Sequence, residues 1–106
     1  MLEAEVERRL KRLERHGFKV FKLRTPGQNG VMDRMILWPK YAPNPPVFVE
    51  LKRPGKEERL LQACIRDDWR DRGCDVRDMC DTIEKVDALI AVLVGAAEKR
   101  KGTLYG

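Results

Sequence analysis

Residues 31–52 read Val31-Met32-Asp33-Arg34-Met35-Ile36-Leu37-Trp38, then Pro39-Lys40-Tyr41-Ala42-Pro43-Asn44-Pro45-Pro46, then Val47-Phe48-Val49-Glu50-Leu51-Lys52. The middle segment carries four prolines, which exclude helix and make it a connecting loop. The runs on either side are apolar, short and partly β-branched, and read as two strands. Each holds charge where a buried strand needs none: Asp33 near the start of the first, Glu50 and Lys52 at the end of the second. Strand side chains alternate, so Glu50 and Lys52 share a face while Leu51 points the other way. If the strands are hairpin neighbours, Asp33 converges on Glu50. Two carboxylates at about 4 Å repel unless a cation lies between them. Such hard oxygen ligands favour Mg²⁺ or Mn²⁺ over zinc, and an ammonium close by steadies charge on a phosphoryl group. The residues alone equally suit an exposed ion pair between Glu50 and Lys52 at a strand end.

Outward from this pair, the chain alternates helices and strands. Leu2, Val6, Leu10 and Leu13 form one apolar stripe on a helix from Glu3 to about His16, and Gly17 is a fitting stop. Phe18, Val20 and Leu23 read as a strand, and Thr25-Pro26-Gly27-Gln28-Asn29-Gly30 as a turn-rich loop. Pro54-Gly55 ends the Val47–Lys52 strand. A helix follows from about Glu57 to Arg72, with Leu61, Ile65 and Trp69 four apart. Cys74 to Met79 suits a fourth strand by length and position. Asp81-Thr82-Ile83-Glu84 has capping-box spacing with Asp81 as the cap, opening a last helix through Ile83, Val86, Ile90, Leu93 and Ala97. The order αβββαβ plus a helix implies an α/β fold, one sheet flanked by helices.

At 106 residues the chain is sized for a single domain over 1–106. Its 22 Lys and Arg against 17 Asp and Glu give a net charge of +5, which fits a polyanion partner without requiring one. The longest apolar stretch, Ala88 to Ala97, has ten residues, against roughly 20 for a membrane span. The charged start, Met1 to Gly17, has no secretory h-region. Cys64, Cys74 and Cys80 are odd in number and form no CxxC, so a disulfide framework or Cys/His zinc site is not expected. Three reduced thiols in a cytoplasmic protein are. Trp38 and Trp69 fall on apolar stripes and read as core, and His16 as a surface or capping residue.

The string Thr25-Pro-Gly-Gln-Asn-Gly-Val-Met-Asp33-Arg34, then Phe48-Val-Glu50-Leu-Lys52-Arg-Pro-Gly55, then Gln62 resembles the VRR-Nuc domains of the PD-(D/E)xK nuclease superfamily. The resemblance spans roughly residues 3 to 80 and implies a restriction-endonuclease-like core, a mixed central sheet flanked by helices. Residue by residue, Asp33 and Glu50 resemble the metal-binding acids, with the Leu51 carbonyl as a further ligand, and Lys52 resembles the catalytic lysine. Gln62 resembles the glutamine at the edge of the active site. The family's N-terminal helix acid maps to Glu3, with Glu7 one turn on as the alternative. One departure is Met32, where the family usually has proline before the aspartate; this touches the loop's geometry more than its chemistry.

The resemblance implies a Mg²⁺- or Mn²⁺-dependent endonuclease that hydrolyses DNA to leave a 5′-phosphate. It also implies branched substrates such as four-way junctions, a homodimer, and a bacterial or phage-infected host cell. Arg34, Arg53 and Arg59 lie near the acids or between the motifs and are candidate phosphate contacts. So is the basic run Arg8, Arg9, Lys11, Arg12 and Arg15 with Lys19, Lys22 and Arg24. The competing expectation is a catalytically silent nucleic-acid-binding module on the same fold.

Overall fold

Val6, Leu10 and Leu13 lie on one side of the N-terminal helical segment, and all three are buried. In the computed structural model, which describes residues 2–23, 33–51, 60–77 and 80–105 (side chains of 2–3, 60–62 and 102–105 excepted), this segment changes pitch midway. Helix α1 runs Leu2–Leu10 and continues as a 3-10 helix over Lys11–His16. The spacing is compatible with the change. Val6 and Leu10 are four apart, as an α-helix requires, whereas Leu10 and Leu13 are three apart, which aligns them in a 3-10 helix. Gly17 ends the segment with φ of 90°, its N–H donating to the Glu14 carbonyl and the Phe18 N–H to the Leu13 carbonyl.

Four strands follow: β1 (Lys19–Lys22), β2 (Arg34–Leu37), β3 (Val47–Val49) and β4 (Asp75–Val76). They form a sheet in the order β1-β2-β3-β4. The first three are antiparallel neighbours and β4 joins β3 in parallel, so the sheet is mixed. The parallel step is made by helix α2 (Leu60–Asp71), and helix α3 (Ile83–Tyr105) closes the chain. The order and mixed sheet expected for the restriction-endonuclease-like core are therefore present.

Alternation along the strands sets the two faces. Val20, Ile36, Val47, Val49 and Leu51 turn toward α1 and α3, where they join Val6, Leu10, Leu13, Phe18, Val86, Leu89, Leu93 and Ala97 in the main core. Phe48 turns the other way and meets Trp69 of α2 edge-on at 5.3 Å between ring centres, while the Arg70 Nε–H donates to the Val76 carbonyl at 2.9 Å. Trp38 packs on Phe18 at 5.3 Å, so both tryptophans are packing residues. Across the helix pair, Arg9 Nη1 donates to Asp87 at 2.7 Å, and that bond holds the guanidinium's pKa above its ordinary value. The proline-rich loop is anchored by the Tyr41 hydroxyl, which donates to the carbonyl of exposed His16 at 3.2 Å. No disulfide joins the three cysteines, and among the described residues no helix is long and apolar enough to cross a membrane.

Three local expectations are corrected. The cap of α3 is Thr82 rather than Asp81: Thr82 Oγ1 accepts the Lys85 N–H at 3.1 Å and its carbonyl accepts Val86 N–H. Asp81 sits one residue too early and instead pairs with Lys85 Nζ at 2.7 Å. The helix also runs past Ala97 to Tyr105, and Lys101 places its ammonium 5.5 Å from the Tyr41 ring. The fourth strand is shorter than Cys74–Met79, with a separate parallel bridge pairing Leu51 and Cys80. The loop at 25–30 and the expected helix start at Glu57 lie outside the described residues.

The cap assignment is directly testable. Thr82→Ala is expected to lower unfolding free energy by about 1 kcal/mol, and Asp81→Ala by about 0.5 kcal/mol or less, in urea titrations followed by far-UV circular dichroism. A larger loss for Asp81→Ala would return the cap to that residue.

Candidate metal centre

The β2–β3 register aligns Arg34 with Val49, Met35 with Phe48 and Ile36 with Val47. Extending that register by one residue, past the paired positions, would set Asp33 opposite Glu50. Facing residues of an antiparallel pair have Cβ atoms about 4.5–5.5 Å apart and share a face. Arg34 and Val49 are buried on the core face, so alternation turns Asp33 and Glu50 to the opposite face, the side of α2. Leu51, only 6% exposed, is back in the core, as its position after Glu50 requires.

The backbone and side chain of Asp33 are both fixed. Its carbonyl accepts Leu23 N–H at 2.8 Å and Arg34 Nη1 at 3.0 Å. Its Oδ1 accepts the Leu51 N–H at 3.0 Å, tying the acid of β2 to the end of β3. Glu50 is 6% exposed, and its carbonyl accepts the Cys80 N–H at 2.9 Å. The two acids are thus held at the meeting point of three chain segments, by main-chain bonds that leave little room for drift.

Arg34 departs from expectation. A phosphate contact must reach solvent, yet Arg34 is 1% exposed. It has the same parity as Ile36 and so points into the core. From there Nη2 reaches Glu7 Oε1 of α1 at 3.4 Å, and Nη1 lies 3.6 Å from Asp33 Oδ1. A buried guanidinium shared by two carboxylates is unavailable to DNA. Sequence reasoning missed this link between Glu7 and Asp33, although the strand parity of Arg34 was its signal.

Other expected residues are only partly covered. Glu3 belongs to α1 and Gln62 to α2, but their side chains lie outside the described residues, as do Lys52, Arg53 and Arg59 altogether. Of the basic run, Arg8, Lys11, Arg12, Arg15, Lys19 and Lys22 are exposed. Lys11 is paired with Glu14, and Arg9 with Glu5 and Asp87.

The donor chemistry fits a hard divalent cation. Asp33 offers carboxylate oxygens beside Leu51, whose N–H it accepts, and Glu50 is the residue before Leu51. Mg²⁺ commonly takes one or two carboxylates and keeps several waters. Among the described residues no group of three or more His, Cys, Asp or Glu is placed to hold a metal.

The same geometry separates charge from support at Asp33. In metal-free buffer, Asp33→Ala loses the acceptor for Leu51 N–H and is expected to cost about 1–3 kcal/mol. Asp33→Asn keeps an oxygen there and is expected to cost about 1 kcal/mol or less by the same reasoning. Chemical denaturation of both variants checks this.

No protein-family model and no curated protein sequence matches the chain. A solved structure described as a VRR_NUC domain does, at 28% sequence identity and a TM-score of 0.66, covering 83% of this chain and 92% of that one.

Proposed function

Because this chain has the VRR-Nuc fold, that of a nuclease-domain family, we propose that it is a divalent-metal-dependent endonuclease hydrolysing DNA phosphodiesters. The observation that carries this reading is the Asp33 carboxylate accepting the Leu51 N–H, which brings it to the residue after Glu50 at the end of the β2–β3 ladder. Asp33, Glu50 and the Leu51 carbonyl would hold Mg²⁺ or Mn²⁺. Bound there, the ion would supply Lewis acidity toward water and the phosphoryl oxygens.

The chain's own groups do the rest. Lys52 stands two residues after Glu50 in the sequence, and its ammonium is assigned to orient the attacking water and offset charge on the phosphate. Gln62 and Glu3 are assigned to the rim of the site, where they position water or phosphate. Exposed basic residues, with Arg53 and Arg59, supply sequence-independent grip on the DNA backbone. Attack in line with the departing oxygen leaves a 5′-phosphate. Branched DNA such as a four-way junction is the proposed substrate, cut by a homodimer whose two-fold axis relates two identical sites. An odd count of three cysteines with no CxxC suits a reducing cytoplasm, in a bacterial or phage-infected cell.

Cleavage of labelled four-way junctions and matched linear duplexes tests the reading. Wild-type protein should cut with Mg²⁺ or Mn²⁺, stop with EDTA and prefer the junction. Asp33→Asn and Glu50→Gln should abolish cutting, and Lys52→Ala should slow it on the order of a hundredfold. Equal cutting by wild type and all three variants would remove the mechanism. DNA binding with no Mn²⁺ heat in calorimetry would instead indicate a silent binding module.

A further inference from the structure

Among the described residues, Arg34 is the largest fully buried side chain. It lies on the core face beside Ile36, Val47 and Val49, where an aliphatic residue would avoid the cost of desolvating a charge. Its Nε has no hydrogen-bond partner among the described residues, so stability alone does not account for the guanidinium. What it does accomplish is geometric. Nη2 reaches Glu7 Oε1 of α1 at 3.4 Å, while Nη1 donates to the Asp33 carbonyl at 3.0 Å and lies 3.6 Å from Asp33 Oδ1.

We propose that Arg34 is a positioning residue that aims the Asp33 carboxylate for the divalent ion, and that Glu7 acts through Arg34 by holding its other arm. This rests on the metal reading above. The planar fork is essential, because its two outer nitrogens diverge and span both acids at once. A lysine ammonium keeps the charge but is a single point and cannot bridge them. Glu7 needs only to offer an acceptor oxygen, which glutamine also provides.

The test is Mn²⁺ calorimetry on the full chain without DNA, with circular dichroism confirming the fold of each variant. Arg34→Lys should weaken Mn²⁺ binding on the order of tenfold or more, as loss of a supporting bond behind a metal ligand does. Glu7→Ala should weaken it comparably, and Glu7→Gln should restore it to within about twofold of wild type. Wild-type affinity in Arg34→Lys, or an equal loss in Glu7→Gln and Glu7→Ala, overturns the proposal. Should Arg34→Lys fail to fold, the Glu7 pair decides, since that side chain is 37% exposed and its loss leaves no hole in the core. Asp33→Asn is the reference: if it binds Mn²⁺ like wild type, the metal reading itself fails, whatever the other variants do.

Discussion

The short antiparallel ladder between β2 and β3 governs the rest of the molecule. Once Ile36 opposes Val47 and Arg34 opposes Val49, the strand parity leaves no freedom. Ile36, Val47 and Val49 enter the core against α1 and α3, while Met35 and Phe48 turn toward α2. A slip of one residue would exchange the faces and bury Met35 and Phe48 under the wrong helices. It would also separate Asp33 from the Leu51 N–H. Packing of the core and the bond from Asp33 to the backbone at Leu51 are therefore consequences of one register.

Arg34 connects these two consequences. Its place in the ladder commits it to the core, and its length carries the charge back out to Asp33 and Glu7. Leaving a buried charge without its partner costs about 3–5 kcal/mol in fully desolvated pairs. The cost is smaller here because the Glu7 and Asp33 side chains are 37% and 30% exposed. That partial exposure suits a site that exchanges ions and solvent, while the buried guanidinium keeps the frame rigid. The N-terminal helix is thus part of the site's scaffold as well as of the core, docked by Val6 and Leu10 and joined to Asp33 through one arginine.

Much of this was legible in the residues. The strand pair around the proline-rich loop, the stripe of Val6, Leu10 and Leu13, and the charges out of place at Asp33 and Glu50 are local signals, and local periodicity carries them. Errors arose where neighbouring residues competed for one role. Asp81 and Thr82 are both good caps, and the choice fell to the residue whose oxygen met an amide. Closeness in sequence to the acids suggests Arg34 as a phosphate contact, although the alternation that aims Glu50 applies to it equally and buries it. The changed helical pitch after Leu10 was implicit in a spacing of three, but only docking against the sheet selects between the two pitches.

The sequence by itself determined the α/β order, the candidate acids and their hard-oxygen chemistry, because residue type and two short periods are written along the chain. Tertiary structure alone decided the pairing partner of each strand, the cap that closes, and the fate of Arg34. Those outcomes depend on which surfaces meet across long stretches of sequence. No local pattern records that Glu7 and Asp33, far apart along the chain, come to share one guanidinium.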